Sequence, residues 1–440
     1  MQVRRIWSWR PPAVALLALL LVFFTGGSGG TLTIPAAGVP PVSAPVPQAG
    51  VTSAAREESS LPPEERTVTG TLLSTGDLLM HDPILEAAYD AQEKAYDFRR
   101  IFTHIAPYVE KADVAVANLE VTLAGNERIP YRGYPRFNCP DAIVDAALDA
   151  GFDLLLTANN HSNDSGLAGI LRTLETLEQR GMACTGTRKT AEDKRYRIVD
   201  VGGIPVGLIN YTYEAQREDG RPSLNLLLEE AAVPLVNSFS YRNLDAFYNE
   251  LAGQLAAMKE EGALATVMYI HWGNEYKLIP NNQQKAIAQA LCDMGVDVII
   301  GGHPHVVQPL EILTAADGRR TVCLYSMGNA VSNQRIYRAS IKTGHTEDGM
   351  LFSVTFSRTG DGPVRVTGVE VLPTWVNLYQ EDGRDVFEIV PLDMEKEWSA
   401  TMDTDNSADG PANAAASYER TMELVREGLA AFTEWSAEAA

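Results

Sequence analysis

The sequence predicts an α/β fold, a layered sheet assembly with helices on its faces. Between about Thr67 and Thr374, short β-rich runs alternate with stretches of helical period, the pattern of sheets covered by helices. Polar, metal-competent side chains recur directly after five of these runs, where ligands sit in open α/β sheets. With 45% hydrophobic and 21% charged residues, the composition is that of a globular chain and excludes both wholesale disorder and a multispan membrane protein.

The chain begins with Arg4, Arg5 and Arg10 ahead of an apolar run from Ala13 to Phe24, the order of an export signal. The strict run is shorter than the roughly 20 residues of a membrane span. Leu32 and Ile34 could extend it into an uncleaved anchor, so residues 1–34 read as signal peptide or membrane anchor. Either way the arginines stay cytoplasmic and the remainder lies outside, on the extracellular face of the cell membrane or secreted. Residues 35–66 are rich in Pro, Ala, Gly, Ser and Val, which suits an extended, disordered linker.

The body spans residues 67–375. Its expected strands are Thr69 to Thr75, Asp113 to Ala117, Asp153 to Thr157, Pro205 to Tyr211, Ala265 to Ile270 and Asp297 to Ile300. Expected helices are Asp141 to Ala150, Leu167 to Arg180, Leu244 to Lys259 and Gln283 to Met294. The later runs Val306 to Leu313, Thr321 to Tyr325, Leu351 to Phe356 and Val364 to Leu372 lack helices between them and should pair antiparallel. Residues 376–440 read as an extension, with a second linker at Ala400 to Ala416. A helix from Tyr418 to Trp435 follows, and its Met422, Val425, Leu429 and Phe432 face should dock on the body.

Charge and motif content narrow the chemistry. The 36 Lys+Arg against 57 Asp+Glu give a net charge of −21, which argues against a nucleic-acid binder. Cys139, Cys184, Cys292 and Cys323 are too far apart for a CxxC-type pair, although Cys139 and Cys184 could pair outside the cell. No Gly-rich nucleotide loop and no Gly-x-Ser-x-Gly elbow occurs within residues 67–375, which argues against a serine hydrolase.

What remains is a set of oxygen and imidazole donors at strand ends. Asp77 follows the first strand, Asn118 and Glu120 the second, and Asn159 to His161 the third; His271 and the Gly301 to His305 segment follow later ones. Mixed O and N donors suit a divalent transition metal such as Mn, Fe or Zn. His303 and His305, separated by Pro304 and preceded by two glycines, fit a loop that aims alternate side chains at one point.

The strings STGDLLMHD at Ser74 to Asp82, ANLEVTL at Ala117 to Leu123 and TANNHSNDSG at Thr157 to Gly166, with HWGNEY at His271 to Tyr276, GGHPHVVQ at Gly301 to Gln308 and YSMGNAV at Tyr325 to Val331, resemble the capsule-type poly-gamma-glutamate biosynthesis family, CapA/PgsA. That family is similar in motif order to the calcineurin-like metallophosphoesterases. The resemblance covers roughly Thr67 to Thr374 and implies a metallophosphoesterase-like β-sandwich flanked by helices. It implies Asp77 as a metal carboxylate, Glu120 or Asn118 as the bridging ligand, and Asn160, His271, His303 and His305 as further ligands. His161 is implied as the proton donor, one or two metal ions as cofactor, and metal-assisted hydrolysis as the reaction.

Two departures bear on that expectation. Leu78 and Leu79 follow Asp77 where the phosphoesterases have D-x-H, His81 being the nearest histidine, and Asn118-Leu119-Glu120 replaces GDxxD. Asp164 could orient His161 or cap the next helix. Glu275 could hold substrate or buttress the site, and His81 could contact substrate. Trp272 and Tyr276 fit core packing as well as a substrate platform, and Asn329 fits a turn with Gly328 and is a further, weaker site candidate. The partners implied are an anionic polymer or phosphoester substrate, the membrane through the N-terminal segment, and subunits of a membrane polymer synthase. A non-catalytic accessory role in such a synthase, or a secreted nucleotide or sugar-phosphate phosphatase, are the other readings. Arg128, Arg132 and Arg136 could supply a local basic patch in an otherwise acidic protein.

Overall fold

A run of alternating β-branched and small residues builds β1 (Thr67–Leu78), which leads into the helix α1 (Asp82–Ala88) with a proline in its first turn, where a missing N–H breaks no helical bond. The computed structural model describes residues 66–337, 342–393 and 410–439. The expected export segment, and all but the last residue of the expected first linker, lie outside the described residues. A two-residue ladder of β2 (Tyr89–Asp90) and β3 (Ala95–Tyr96) follows, with the single turns α2 (Arg99–Phe102) and α3 (Ala106–Val109). The alternation continues through β4 (Val114–Leu119), α4 (Ala142–Asp149), β5 (Leu154–Leu156), α5 (Gly166–Gln179) and β6 (Ala183–Thr185).

β7 (Tyr196–Val201) and β8 (Ile204–Tyr213) form a hairpin across Gly202 and Gly203, both at positive φ as a two-residue hairpin turn requires. Next come β9 (Ser238–Phe239), α6 (Leu244–Glu260), β10 (Ala265–His271), α7 (Asn282–Asp293) and β11 (Val298–Gly302). A capping box between Asn281 and Gln284 fixes the start of α7. The chain then runs through β12 (Val307–Thr314), β13 (Arg320–Met327), β14 (Asn329–Val331), β15 (Asp348–Thr359), β16 (Arg365–Glu381) and β17 (Arg384–Pro391) to the helix α8 (Gly410–Ala439). The pairs β12–β13 and β15–β16 are antiparallel, as expected where no helix provides a crossover.

Among the described residues, eight strands form one sheet in the order β17-β16-β15-β1-β4-β5-β6, with β14 beside β1. Seven form a second, β12-β13-β11-β10-β8-β7, with β9 beside β8. Alternate side chains sort into separate cores. Leu72, Val116 and Leu154 meet Val206, Leu208, Tyr269 and Val298 between the sheets. Leu73, Ala115 and Leu155 instead face Ile84, Phe102 and Ile143 on the helical side. Ile209, Met268 and Ile270 pack against Phe247, Leu251 and Ile287 of α6 and α7. The result is a helix, sheet, sheet, helix sandwich, and with both faces covered β4 is buried at every residue.

Three expectations change. The body does not end at residue 375, which lies inside β16; β17 pairs with β16 and extends the sheet to Pro391. Gly410 to Ala416 belongs to α8 rather than to a linker. Val425 and Phe432 of α8 are buried against the inter-sheet core, so the expected docking face is the right one and the helix is longer. The cysteines are free thiols, Cys139 lying in the helical-side core, so Cys139 and Cys184 do not pair. No helix among the described residues is long and apolar enough to cross a membrane.

Candidate metal centre

Parallel strands bring their carboxyl ends to one edge. Register pairs Asp77 on β1 with Asn118 on β4 and with Asn329 on β14, and pairs His271 on β10 with Gly302 on β11. Asp77, Glu120, Asn160, His161, His271, His303 and His305 are all buried there, although they come from five strand ends spread over more than two hundred residues. Gly302 leaves room for this convergence. A Cβ at that position would lie 3.2 Å from Asp77 Oδ1 and 3.5 Å from His271 Nδ1.

Two sets of donors each lie within 4.8 Å of one another, Asp77 with Glu120 and His271, and Glu120 with His303 and His305. Glu120 belongs to both. Its Oε1 is 3.5 Å from His271 Nε2 and 3.9 Å from His305 Nε2, and neither carboxylate oxygen has a hydrogen-bond partner among the described residues. His303 Nδ1 is likewise buried without a partner. Buried carboxylate oxygens and a buried imidazole nitrogen without partners are costly unless a cation completes them. A divalent transition metal fits this donor set.

Asn118 plays another part. Its amide donates to Asp77 Oδ1 at 2.7 Å and its oxygen accepts from Asn159 at 3.2 Å, so it holds Asp77 rather than sharing the donor cluster. Of the two residues expected at the bridging position, Glu120 is the one common to both donor sets. Asn160 Oδ1 lies 2.7 Å from His271 Nε2, within the same cluster. His305 reaches Asp77 Oδ2 at 3.2 Å and Asn329 Oδ1 at 3.1 Å through Nδ1, which leaves Nε2 directed to Glu120. His303 and His305 adopt φ of 95° and 55°, left-handed conformations that cost non-glycine residues about 1–3 kcal/mol each. Strain of this kind is retained where geometry is demanded by function, and here it points two imidazoles inward.

The electrostatics are those of a site built for a cation. Burial, then repulsion from Asp77, pushes the Glu120 carboxyl well above the usual carboxylate range. Burial would raise Asp77 too, but the hydrogen bond and charge of His305, with His271 and Asn118, hold it below its ordinary value. Burial lowers His271 to about 3 and His303 well below 6.5, so both rings are neutral with free lone pairs.

Beside the cluster, His161 Nδ1 bonds Asp164 Oδ2 at 2.7 Å. Asp164 also accepts from Phe137 N at 2.6 Å and from Asn225 Nδ2 at 2.7 Å. It therefore orients His161 and does not cap α5, whose N-cap is Ser165. Phe137 packs edge-on against His161 at 4.7 Å and against His81 at 5.3 Å. His81 stands outside the donor cluster as the N-cap of α1, its Nδ1 accepting from Asn333 N at 3.2 Å, and burial lowers it to about 4. Glu275 is exposed at the rim. Trp272 is core, donating to the Tyr325 carbonyl, whereas half-buried Tyr276 lies 6.1 Å from His305. Leu79, at the position of the phosphoesterase histidine, is buried in the helical-side core and offers no donor.

Sequence reasoning missed Asn225, which ties Asp164 to the Pro135 carbonyl, and Tyr213, whose ring lies tilted 4.7 Å from that of His303. Asn225 lies in an irregular segment without a motif. Tyr213 ends a strand whose carboxyl edge is shared with His271, and that position was its one signal.

Residues 71–334 match the family model described as bacterial capsule synthesis protein PGA_cap. The chain is 26% identical over 268 residues to a capsule biosynthesis protein CapA of Bacillus anthracis, covering 60% of each chain. It is 25% identical over 320 residues to a PGA biosynthesis protein CapA of Bacillus subtilis, covering 70% of this chain and 74% of that one. Among solved structures, the NAD nucleotidase of Haemophilus influenzae aligns at a TM-score of 0.43 and 10% identity, over 85% of this chain and 61% of that one. The calcineurin-like phosphoesterase YfkN of Bacillus subtilis aligns at 0.36 and 12%, over 84% of this chain and all of that one.

Proposed function

The chain belongs to the bacterial capsule synthesis protein family, and from that premise we propose that its buried cluster is a hydrolytic divalent-metal site. The site acts outside the membrane on an anionic exopolymer such as poly-gamma-glutamate, in its synthesis, release or anchoring. One observation carries the reading: Glu120 is a fully buried carboxylate without a hydrogen bond, common to both donor sets. Asp77, Glu120, Asn160, His271, His303 and His305 would hold one or two ions of Mn, Fe or Zn. A bound ion would polarise the scissile bond and supply a nucleophile at neutral pH. His161, with Nδ1 tied to Asp164, presents Nε2 as the nitrogen that gives a proton to the leaving oxygen. Phe137 fixes the plane of that ring and keeps water from one face.

A second reading, a non-catalytic accessory subunit of a membrane polymer synthase, is favoured by the apolar burial of Leu79 where the phosphoesterases have a ligand. One comparison separates the two. Metal-loaded wild type and His161→Ala are assayed on a phosphoester panel and on poly-gamma-glutamate, with polymer yield measured in cells. The hydrolytic reading expects His161→Ala to bind metal normally and to lose about 10²–10⁴-fold in turnover. Absent turnover in both proteins, with normal polymer yield from the variant, would overturn it in favour of the accessory role.

A further inference from the structure

We propose that residues 125–137 form an anion-recognising arm that seats a polymer of repeated carboxylates beside His161. Its location as a substrate arm rests on the hydrolytic reading, but its chemistry does not. The arm carries Arg128, Arg132 and Arg136 with Glu127 as its one acidic residue, in a chain whose net charge is −21. None of the three guanidinia makes an ion pair among the described residues. By contrast Arg172, Arg217 and Arg319 each hold a carboxylate. Arg128 and Arg136 are exposed, and half-buried Arg132 donates only its Nε, to the Arg136 carbonyl.

The arm has no regular secondary structure across most of its length, yet side chains outside it, Asn138 and Asp164 buried and Asp82 and Asn225 exposed, pin it at several points. Asn138, fully buried, donates to the carbonyls of Gly125 and Ile129 at 2.7 and 2.9 Å and accepts from Ala124 N at 2.8 Å. Asp82 Oδ1 takes the Gly133 N–H at 2.6 Å, and a Cβ at Gly133 would lie 2.5 Å from Asp82 N. Asn225 donates to the Pro135 carbonyl and to Asp164, and Phe137 N donates to Asp164. The end of the arm is thus bonded to the residue that orients His161.

These constraints have a chemical consequence. A loop already fixed loses little entropy on binding, so weak exposed ion pairs can add. Arginines four residues apart along an irregular loop suit several anionic groups on one chain, not the single anion a converging cluster would take. Tyr134, 73% exposed between Arg132 and Arg136, gives the polymer an apolar surface to lie on. Because the rest of the protein is acidic, a polyanion is repelled elsewhere and steered to this arm, which answers how such a protein handles one.

The test uses the full chain in chelator, so that binding is read without metal and independently of hydrolysis. Fluorescently labelled poly-gamma-glutamate is titrated against wild type, against Arg128→Ala/Arg132→Ala/Arg136→Ala, and against the corresponding triple lysine variant. Polyphosphate and free glutamate serve as competitors. The alanine variant is expected to bind about tenfold more weakly, the lysine variant to keep most affinity, and free glutamate to compete poorly. Metal uptake by the alanine variant should equal wild type, which establishes folding. Equal affinity in the alanine variant and wild type, or no binding by wild type, overturns the arm. Competition by polyphosphate but not by unlabelled poly-gamma-glutamate overturns the carboxylate assignment. If metal uptake fails in every protein while arginine-dependent binding persists, the hydrolytic reading falls and the arm stands.

Discussion

Replacing Glu120 by glutamine should stabilise the metal-free protein and blunt its response to metal. Glu120 is fully buried, neither oxygen is hydrogen-bonded, and burial followed by repulsion from Asp77 raises its pKa well above 4.5. The folded protein therefore keeps a proton that the unfolded chain releases. Through this group, metal-free stability falls with rising pH by up to about 1.4 kcal/mol per unit, beginning near the ordinary carboxylate value. The buried imidazoles act in the opposite direction. Burial lowers His271 to about 3 and His81 to about 4, so the unfolded chain binds protons that the folded one rejects, and stability rises with pH up to about 6.5. Subtracting the wild-type profile from that of Glu120→Gln cancels the imidazoles and leaves Glu120. The advantage of the variant should be near zero below pH 4.5 and grow to at most about 3 kcal/mol at pH 7. Metal at a hundredfold excess over its dissociation constant should stabilise wild type by about 2.7 kcal/mol, and a tenfold to hundredfold loss of affinity would remove about half or nearly all of that gain in the variant. Urea unfolding from pH 4 to 8, in chelator and in saturating Mn²⁺, measures both effects. A variant no more stable than wild type at pH 7 in chelator, with an undiminished gain from metal, would refute the reasoning.

Other substitutions probe the remaining supports. Asp164→Asn should lower turnover about 10–100-fold at unchanged metal content, because the imidazole loses the acceptor that fixes its tautomer, as steady-state kinetics with elemental analysis would check. Gly302→Ala puts a methyl 3.2 Å from Asp77 Oδ1 and should weaken metal binding about tenfold in a chelator competition while leaving the fold intact. Arg420→Met strips the partner from Asp348, whose side chain is 1% exposed, and should cost about 3–5 kcal/mol by urea unfolding. That loss should be larger at pH 8 than at pH 5. Burial raises Asp348 to about 6 even beside Arg420, so at the lower pH it can take up a proton and shed its charge.

Periodicity made the central layers legible because their strands are buried on both faces and their helices are amphipathic; β10 and α7 lie where the apolar pattern puts them. It failed where tertiary pairing supplies the stability. β17 reads as a mixed polar run, and its place comes from the ladder with β16 and from Phe387 and Ile389 beneath it. β14 is three residues long, too short for any period, and exists because it lies against β1. Site residues were readable as side chains at strand ends, since strand ends converge in any parallel sheet. The division of labour between Asn118 and Glu120 was not readable. It follows from where the two residues fall at the end of β4: Asn118, still in the ladder, turns to Asp77 and Asn159, while Glu120, two residues on and just past the strand, faces the histidines. The pinned conformation of residues 125–137 was equally hidden, because side chains from distant segments, Asp82 and Asn225 among them, hold it.

The metal content and coordination of the purified full chain test the proposed site most directly. After incubation with Mn²⁺, Fe²⁺ or Zn²⁺ and removal of excess, wild type should retain about one ion or more per chain in a mixed oxygen and imidazole shell by X-ray absorption, and Glu120→Gln should retain far less. A wild-type protein that takes up none of the three metals, and that matches Glu120→Gln in every titration, would contradict the assignment of Asp77, Glu120, His271, His303 and His305 as a metal centre.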